Sequence, residues 1–263
     1  MSAVTTPTGD RVVFDRYGPE RAPGVLFISG AGPTRAEDPE TTAAARLLGE
    51  RGVQASVHDR VGRGDSAADG PIDLERELRA IEALAGELGG PVVLTGHSSG
   101  CAIAMLAAAR IAACAGVVLW EAPIGQFDDG APAWWDAVAA HIDADRLEDA
   151  VAAYMVGMPP EWIEELKRSP QYPSVVLSWM PDGMALSLVE RIGLEEALRG
   201  VAEPVLALVG AETFPGMAET ASAIARAAPN GAAEELAGAW HSWEPAAMAS
   251  RLDRFVRDAV SSE

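Results

Sequence analysis

Ser98 is the residue on which chemistry can first be built. It sits in Gly96-His97-Ser98-Ser99-Gly100, with glycine two positions before it and two positions after it. The apolar run Val92 to Thr95 leads straight into this segment, and an alanine-rich stretch from Ser99 to Ala113 leads out of it. A serine on a sharp strand-to-helix turn is held in a strained backbone conformation, with its hydroxyl raised above the sheet. Gly96 and Gly100 leave room where any side chain would collide. The amide of Ser99 then lies at a helix N-terminus, where unpaired N–H groups and the helix dipole favour a developing oxyanion. The chemistry this implies is attack on a carbonyl through a covalent intermediate. It requires a general base and a group to orient that base.

Four histidines are candidates for the base: His58, His97, His141 and His241. The ring of His97 adjoins the nucleophile and folds back onto it only with difficulty. His58 closes an apolar run, and His141 falls in a helical stretch. His241 remains, in the loop Gly238-Ala239-Trp240-His241-Ser242-Trp243 ahead of the last helix. For the acid, Glu121 follows the apolar run Val118-Leu119-Trp120, and Glu212 follows Gly210-Ala211. A carboxylate at a strand end is costly to bury unpaired, so it is rarely there for packing alone.

These residues must be positioned by a scaffold. Short apolar runs at Arg11 to Phe14, Gly24 to Ser29, Gln54 to His58, Pro91 to Thr95 and Gly116 to Trp120 predict strands. Between them, Thr41 to Arg51, Asp73 to Leu88 and Ser99 to Ala113 carry apolar residues at helical spacing. Strand alternating with helix predicts an α/β fold, a mostly parallel sheet covered on both faces. From Gly125 to about Gly200 the β-branched runs stop, and Trp134, Trp135, Trp162 and Trp179 appear among helical stretches. An α-helical lid insertion is expected there, over residues 125–200, with the core domain formed by 1–124 and 201–263. Pro159-Pro160 and Pro181-Asp182-Gly183 are expected to be its hinges. Pro204 to Val209 and Ala232 to Leu236 resume the strands, Glu219 to Ala227 predicts a helix, and Pro245 to Val260 a closing amphipathic helix.

The 263 residues are 49% hydrophobic and 22% charged, which excludes disorder, collagen and coiled coil. A net charge of −19 repels phosphate backbones and anionic headgroups, so neither nucleic acid nor membrane is expected as a partner. Cys101 and Cys114 are too few and too poorly spaced for a disulfide framework or a zinc site, and both thiols are expected to be buried and reduced. The polar segment Met1 to Asp10 has no basic or apolar signal region, and the stretch Cys101 to Trp120 is broken by Arg110 and Gly116. A cytoplasmic protein without a membrane span is the expectation.

With the serine turn and its flanking elements in view, the chain resembles the α/β-hydrolase family. Two further segments carry the resemblance. Leu26-Phe27-Ile28-Ser29-Gly30-Ala31-Gly32 stands where that family has a strand ending in an H-G-x loop, with Ser29 in place of the histidine. Asp59-Arg60-Val61-Gly62-Arg63-Gly64-Asp65-Ser66 is similar to the family's D-x-x-G-x-G-x-S structural turn. The resemblance implies an eight-stranded sheet, Ala31 N–H as a second oxyanion donor beside Ser99 N–H, and His241 in the position of the catalytic histidine. It also implies that no metal or organic cofactor is needed. The family's usual acid slot holds Thr213 here, and Glu212 is one residue early. Glu121 resembles the alternative acid position of some haloalkane dehalogenases and is preferred, with Glu212 left open.

The implied activity is that of a serine hydrolase with a Ser98, His241, Glu121 triad. Its expected partner is a small-molecule apolar acyl substrate, a carboxylic ester, thioester or lactone. The tryptophans and methionines of residues 125–200 would serve either to line the pocket or to build the lid's own core. Lys167 is the only lysine and no arginine cluster marks the insertion, so a phosphate-bearing substrate has no clamp. A ligand sensor, or a cofactor-free lyase or C–C hydrolase with vestigial esterase activity, is the competing class. A homodimer stays open.

Overall fold

Nine strands form one sheet in the order β1-β2-β4-β3-β5-β6-β7-β8-β9. They are β1 (Ser2–Thr5), β2 (Arg11–Tyr17), β3 (Gly24–Ile28), β4 (Gln54–His58), β5 (Val92–His97), β6 (Cys114–Trp120), β7 (Val205–Glu212), β8 (Gly231–Ala239) and β9 (Ser242–Trp243). The computed structural model describes residues 1–169 and 172–261. Pairing is parallel from β4 through β8, and antiparallel for β1 with β2, β2 with β4 and β8 with β9. The sheet thus has nine strands where the resemblance implies eight. Neither β1 nor β9 carries an apolar run: β1 is a largely exposed four-residue edge and β9 spans only two residues.

The strands sort their side chains by alternation, which places residues i and i+2 on one face. Leu26, Ile28, Leu94, Val117 and Leu119 face helices α2 (Leu74–Leu88) and α3 (Gly100–Ala108). Val25, Phe27, Val93, Val118, Trp120 and Leu206 face α1 (Pro39–Glu50) and α11 (Pro245–Ser261). Because both faces are covered, β3 and β6 are apolar throughout rather than alternating. The helices begin and end where local chemistry dictates. Asp38 and Asp73 accept from the amides of Thr41 and Arg76, and Gly89 closes α2 at φ +72°. Helix α3 ends at Ala108, five residues before the periodicity suggests, and a turn through Ala109 leads on to β6.

Among the described residues, six helices stand between β6 and β7: α4 (Gly130–Asp143), α5 (Leu147–Tyr154), α6 (Pro160–Arg168), α7 (Tyr172–Leu177), α8 (Met180–Ile192) and α9 (Leu194–Leu198). They have an interior of their own, built on Trp135, Val138, Val151, Tyr154, Val176 and Trp179. Trp134 stacks on Phe127 at 4.4 Å, and Tyr154 on Trp179 at 4.2 Å. Three of the four tryptophans are therefore used up in packing this segment.

Helix α8 is fastened to the sheet by buried charge. Arg60 bonds Glu77 at 2.9 Å and Asp182 at 2.6 Å, while Arg63 bonds Asp182 at 2.9 Å and the Gly30 carbonyl at 2.6 Å. All four side chains are at most 1% exposed. Burial, followed by the neighbouring charge of Arg60, brings the Arg63 guanidinium down to about 10, still protonated at neutral pH. Such a cluster holds only because each charge has a partner in place. A Cβ on Gly183 would lie 1.9 Å from the Trp135 ring. Pro181-Asp182-Gly183 is thus an anchor, and the expectation of a hinge there is corrected. Both cysteines are buried and free.

Candidate active site

Ser98 occupies the turn between β5 and α3 at φ +54°, a region that non-glycine residues rarely adopt. Strain of this kind persists only where the surroundings impose it. The imposition is visible at the two glycines. A Cβ at Gly96 would lie 2.6 Å from Cys101 Cα, and one at Gly100 would lie 2.4 Å from the Ile28 carbonyl oxygen. Ser98 N–H donates to the Trp120 carbonyl at 2.9 Å, which ties the turn to the end of β6.

In the register of β5 with β6, His97 is opposite Trp120, so Ser98 and Glu121 leave adjacent strands side by side. Glu121 also has a positive φ, +47°, and its side chain is fully buried. Its two oxygens are divided. Oε2 receives His241 Nδ1 at 2.7 Å, while Oε1 accepts from Gly210 N–H at 3.0 Å and Thr213 Oγ1 at 2.6 Å. Burial pushes the Glu121 carboxyl up, but the bonds from His241, Thr213 and Gly210 outweigh it and hold the group below the ordinary carboxylate value. A carboxylate on Nδ1 leaves Nε2 of the imidazole as the nitrogen free for proton transfer.

The loop carrying His241 is held by its main chain. Trp120 Nε1 donates to the His241 carbonyl at 3.0 Å, and His97 Nε2 donates to the same oxygen at 2.8 Å. His97 therefore secures the loop that carries His241. Burial and the neighbouring His241 lower its pKa to about 4, so the ring stays neutral. Trp240 and His241 both have positive φ, +50° and +77°. The other two histidines are elsewhere. His58 is buried at the end of β4, where burial and then the charges of Arg60 and Arg63 push it down to about 3. His141 pairs with Arg146 on the surface of α4. Glu212 points into solvent, although its carbonyl accepts from Trp240 N–H.

The oxyanion side departs from the sequence reading. Ala31 N–H is not free: it donates to Ser99 Oγ at 3.1 Å, and Ser99 Oγ in turn donates to Asp182 Oδ1 at 2.7 Å. The Ser99 hydroxyl joins the loop after β3 to the buried anchor on α8. Sequence reasoning also passed over Thr213, set aside for lacking charge, and over two aromatics beside the base. Phe214 meets His241 edge-on at 6.2 Å and Trp240 at 5.9 Å, and Trp240 is 60% exposed. Trp162 of α6 meets Phe214 at 6.5 Å, so one tryptophan of the helical segment does reach the site. The signal for Trp240 and Phe214 was their place, each one residue from a residue already singled out. Among the described residues no group of three or more His, Cys, Asp or Glu could hold a metal ion.

Parallel connections, a serine on a strained strand-to-helix turn and a run of helices between β6 and β7 fit an α/β hydrolase. The chain belongs to the alpha/beta hydrolase family, whose profile matches residues 25–257. An alpha/beta hydrolase from Sphaerobacter thermophilus is 27% identical, with a TM-score of 0.78 over 97% of this chain and 99% of that one. A thermophilic esterase from Thermogutta terrifontis is 22% identical, with a TM-score of 0.63 over 99% and 98% of the two chains. An enol-lactonase from Burkholderia xenovorans is 17% identical, with a TM-score of 0.61 over 99% and 98%. Both share the fold. No curated protein sequence matches the chain. Among the described residues no helix is long and apolar enough to cross a membrane.

Proposed function

We propose that the protein is a serine hydrolase that cleaves a moderately apolar carboxylic ester, thioester or lactone through an acyl-enzyme. The observation that carries the reading is the 2.7 Å bond from His241 Nδ1 to buried Glu121, at the strand end next to the one bearing Ser98. Ser98 Oγ attacks the carbonyl while His241 Nε2 takes its proton and later returns it to the leaving group. Glu121 holds the imidazole in the tautomer that frees Nε2 and stabilises the imidazolium that forms. Ser99 N–H, at the head of α3, receives the oxyanion. Ala31 N–H joins it once the charged oxygen, a stronger acceptor than a hydroxyl, draws the amide from Ser99 Oγ.

The helices between β6 and β7 act in this reading as a cap over the site, anchored at α8 and contributing Trp162. Exposed Trp240, with Phe214 behind it, offers an apolar surface next to the base, which suits a substrate with an apolar acyl or alcohol group. Relatives described as an esterase and an enol-lactonase are in keeping with acyl chemistry on this fold. A second reading is favoured by one observation. With Ala31 N–H already engaged, the resting protein suits a ligand sensor, or a lyase or C–C hydrolase, with only slow esterase activity.

Labelling with a fluorophosphonate separates the two readings. A hydrolase is modified at Ser98 within minutes at neutral pH, and modification is blocked by an apolar ester. Labelling no faster than that of the denatured chain would favour the second reading.

A further inference from the structure

The family's usual acid slot, just after β7, carries Thr213, which has no charge to offer, yet its hydroxyl is 2.6 Å from Glu121 Oε1. We propose that Thr213 is a positioning residue for the acid, its hydroxyl fixing the Glu121 carboxylate so that Oε2 faces His241. The inference rests on the reading of Ser98, His241 and Glu121 given above.

Three donors share two oxygens in a way that leaves little freedom. Gly210 N–H and Thr213 Oγ1 both approach Oε1, so Oε2 is left to Nδ1 of His241. Without the threonine hydroxyl, Oε1 keeps a single donor and the carboxylate can pivot about it. Nothing from solvent replaces the lost bond easily, because the Glu121 side chain is fully buried. The backbone is arranged for the contact. A register shift against β8 falls between Gly210 and Glu212, which sends Glu212 into solvent and brings Thr213 toward β6. Gly210 is part of the same fit, since a Cβ there would lie 3.0 Å from Glu121 Oε1. The acid thus stands just past the end of β6, while the C-terminal end of β7 and the residue after it supply two of the donors that hold it.

The threonine bond is one of those that keep the Glu121 carboxyl below its ordinary value. Removing a donor makes a carboxylate more basic, and a more basic Glu121 carboxylate attracts the positive imidazolium formed beside it more strongly. The acid limb of kcat/KM should therefore move to higher pH. The other titratable groups near the pair are His97 from β5 and the buried Cys101 thiol of α3, and the substitution leaves both in place.

The test is hydrolysis of p-nitrophenyl butyrate by the full chain, with melting temperatures to confirm folding. Thr213→Val keeps the shape and loses the hydroxyl. It should lower kcat about tenfold with KM changed less than about twofold, and should shift the acid limb upward. Thr213→Ser should restore both, and Thr213→Ala serves in place of valine if that variant does not fold. An unchanged kcat and acid limb in Thr213→Val, or a serine variant as impaired as the valine one, would overturn the inference. Turnover in Ser98→Ala above about a tenth of wild type would overturn the nucleophile reading and this inference with it. Turnover lost in Ser98→Ala but unmoved in Thr213→Val would overturn this inference alone.

Discussion

Ser99 and Asp182 meet across 83 positions of sequence, the serine hydroxyl donating to the carboxylate at 2.7 Å. One residue belongs to the turn that carries Ser98 and the other to α8. Because Asp182 also pairs with Arg60 and Arg63, α8 and the Ser98 turn share one buried ionic cluster.

Removing the centre of that cluster should be costly. Asp182→Ala leaves two buried guanidinium groups short of a partner, a loss of about 3–5 kcal/mol, or on the order of 10 °C in Tm for a chain of this size. Ser99→Ala removes the hydroxyl's charge-assisted bond to Asp182 and the bond it accepts from Ala31 N–H, but leaves both guanidinium groups paired, so it should lower Tm clearly less than Asp182→Ala does, at about 2–4 °C per kcal/mol. Thermal melting of the two variants checks the order. Equal and small shifts would mean that the cluster does not anchor α8.

The two carboxylates considered for the acid are now far apart in environment, one buried against His241 and the other in solvent. Glu121→Gln should cost on the order of 10³ to 10⁴ in kcat, as when a serine protease loses its orienting carboxylate. Glu212→Gln, whose side chain is exposed, should cost less than about tenfold. Steady-state kinetics of both variants settles the order, and the reverse would move the acid to Glu212.

His58 predicts how stability depends on pH. Its folded pKa, about 3, lies below the ordinary 6.5, so between these values the unfolded chain binds a proton that the folded one does not. Stability therefore falls as pH falls from about 6.5, by up to roughly 1.4 kcal/mol per pH unit for this one group. His97, lowered to about 4, adds in the same direction. Denaturant melts at pH 7, 6 and 5 should show this slope, and His58→Phe, where it folds, should flatten it. A slope unchanged in that variant would assign the effect to other groups.

The sheet was legible because burial on both faces forces continuous apolar runs, as at Gly24–Ile28 and Cys114–Trp120. The serine turn was legible because only glycine fits at 96 and 100. What could not be read were contacts between residues distant in sequence whose types are individually common. Asp182 looked like part of a helix-breaking turn, and only the two arginines arriving from residues 60 and 63 reveal it as an anchor. Thr213 looked like an empty slot, because its value depends on a carboxylate that comes from another strand. The edge strands β1 and β9 escaped notice because β1 is short and largely exposed and β9 has only two residues, too few for an alternating pattern.

The central claim is that Ser98 is the nucleophile, and single-turnover mass spectrometry of the intact chain tests it most directly. Mixed with a p-nitrophenyl ester and quenched in acid, the wild-type chain should gain the mass of one acyl group on the peptide that contains Ser98. Ser98→Ala should gain none and should retain no more than a small residual turnover, since the oxyanion donors alone still provide some rate over water. Its melting temperature should stay near that of the wild type, because the strain resides in the turn and not in the hydroxyl. Acylation of Ser98→Ala at the wild-type rate, or turnover above about a tenth of wild type, would contradict the account.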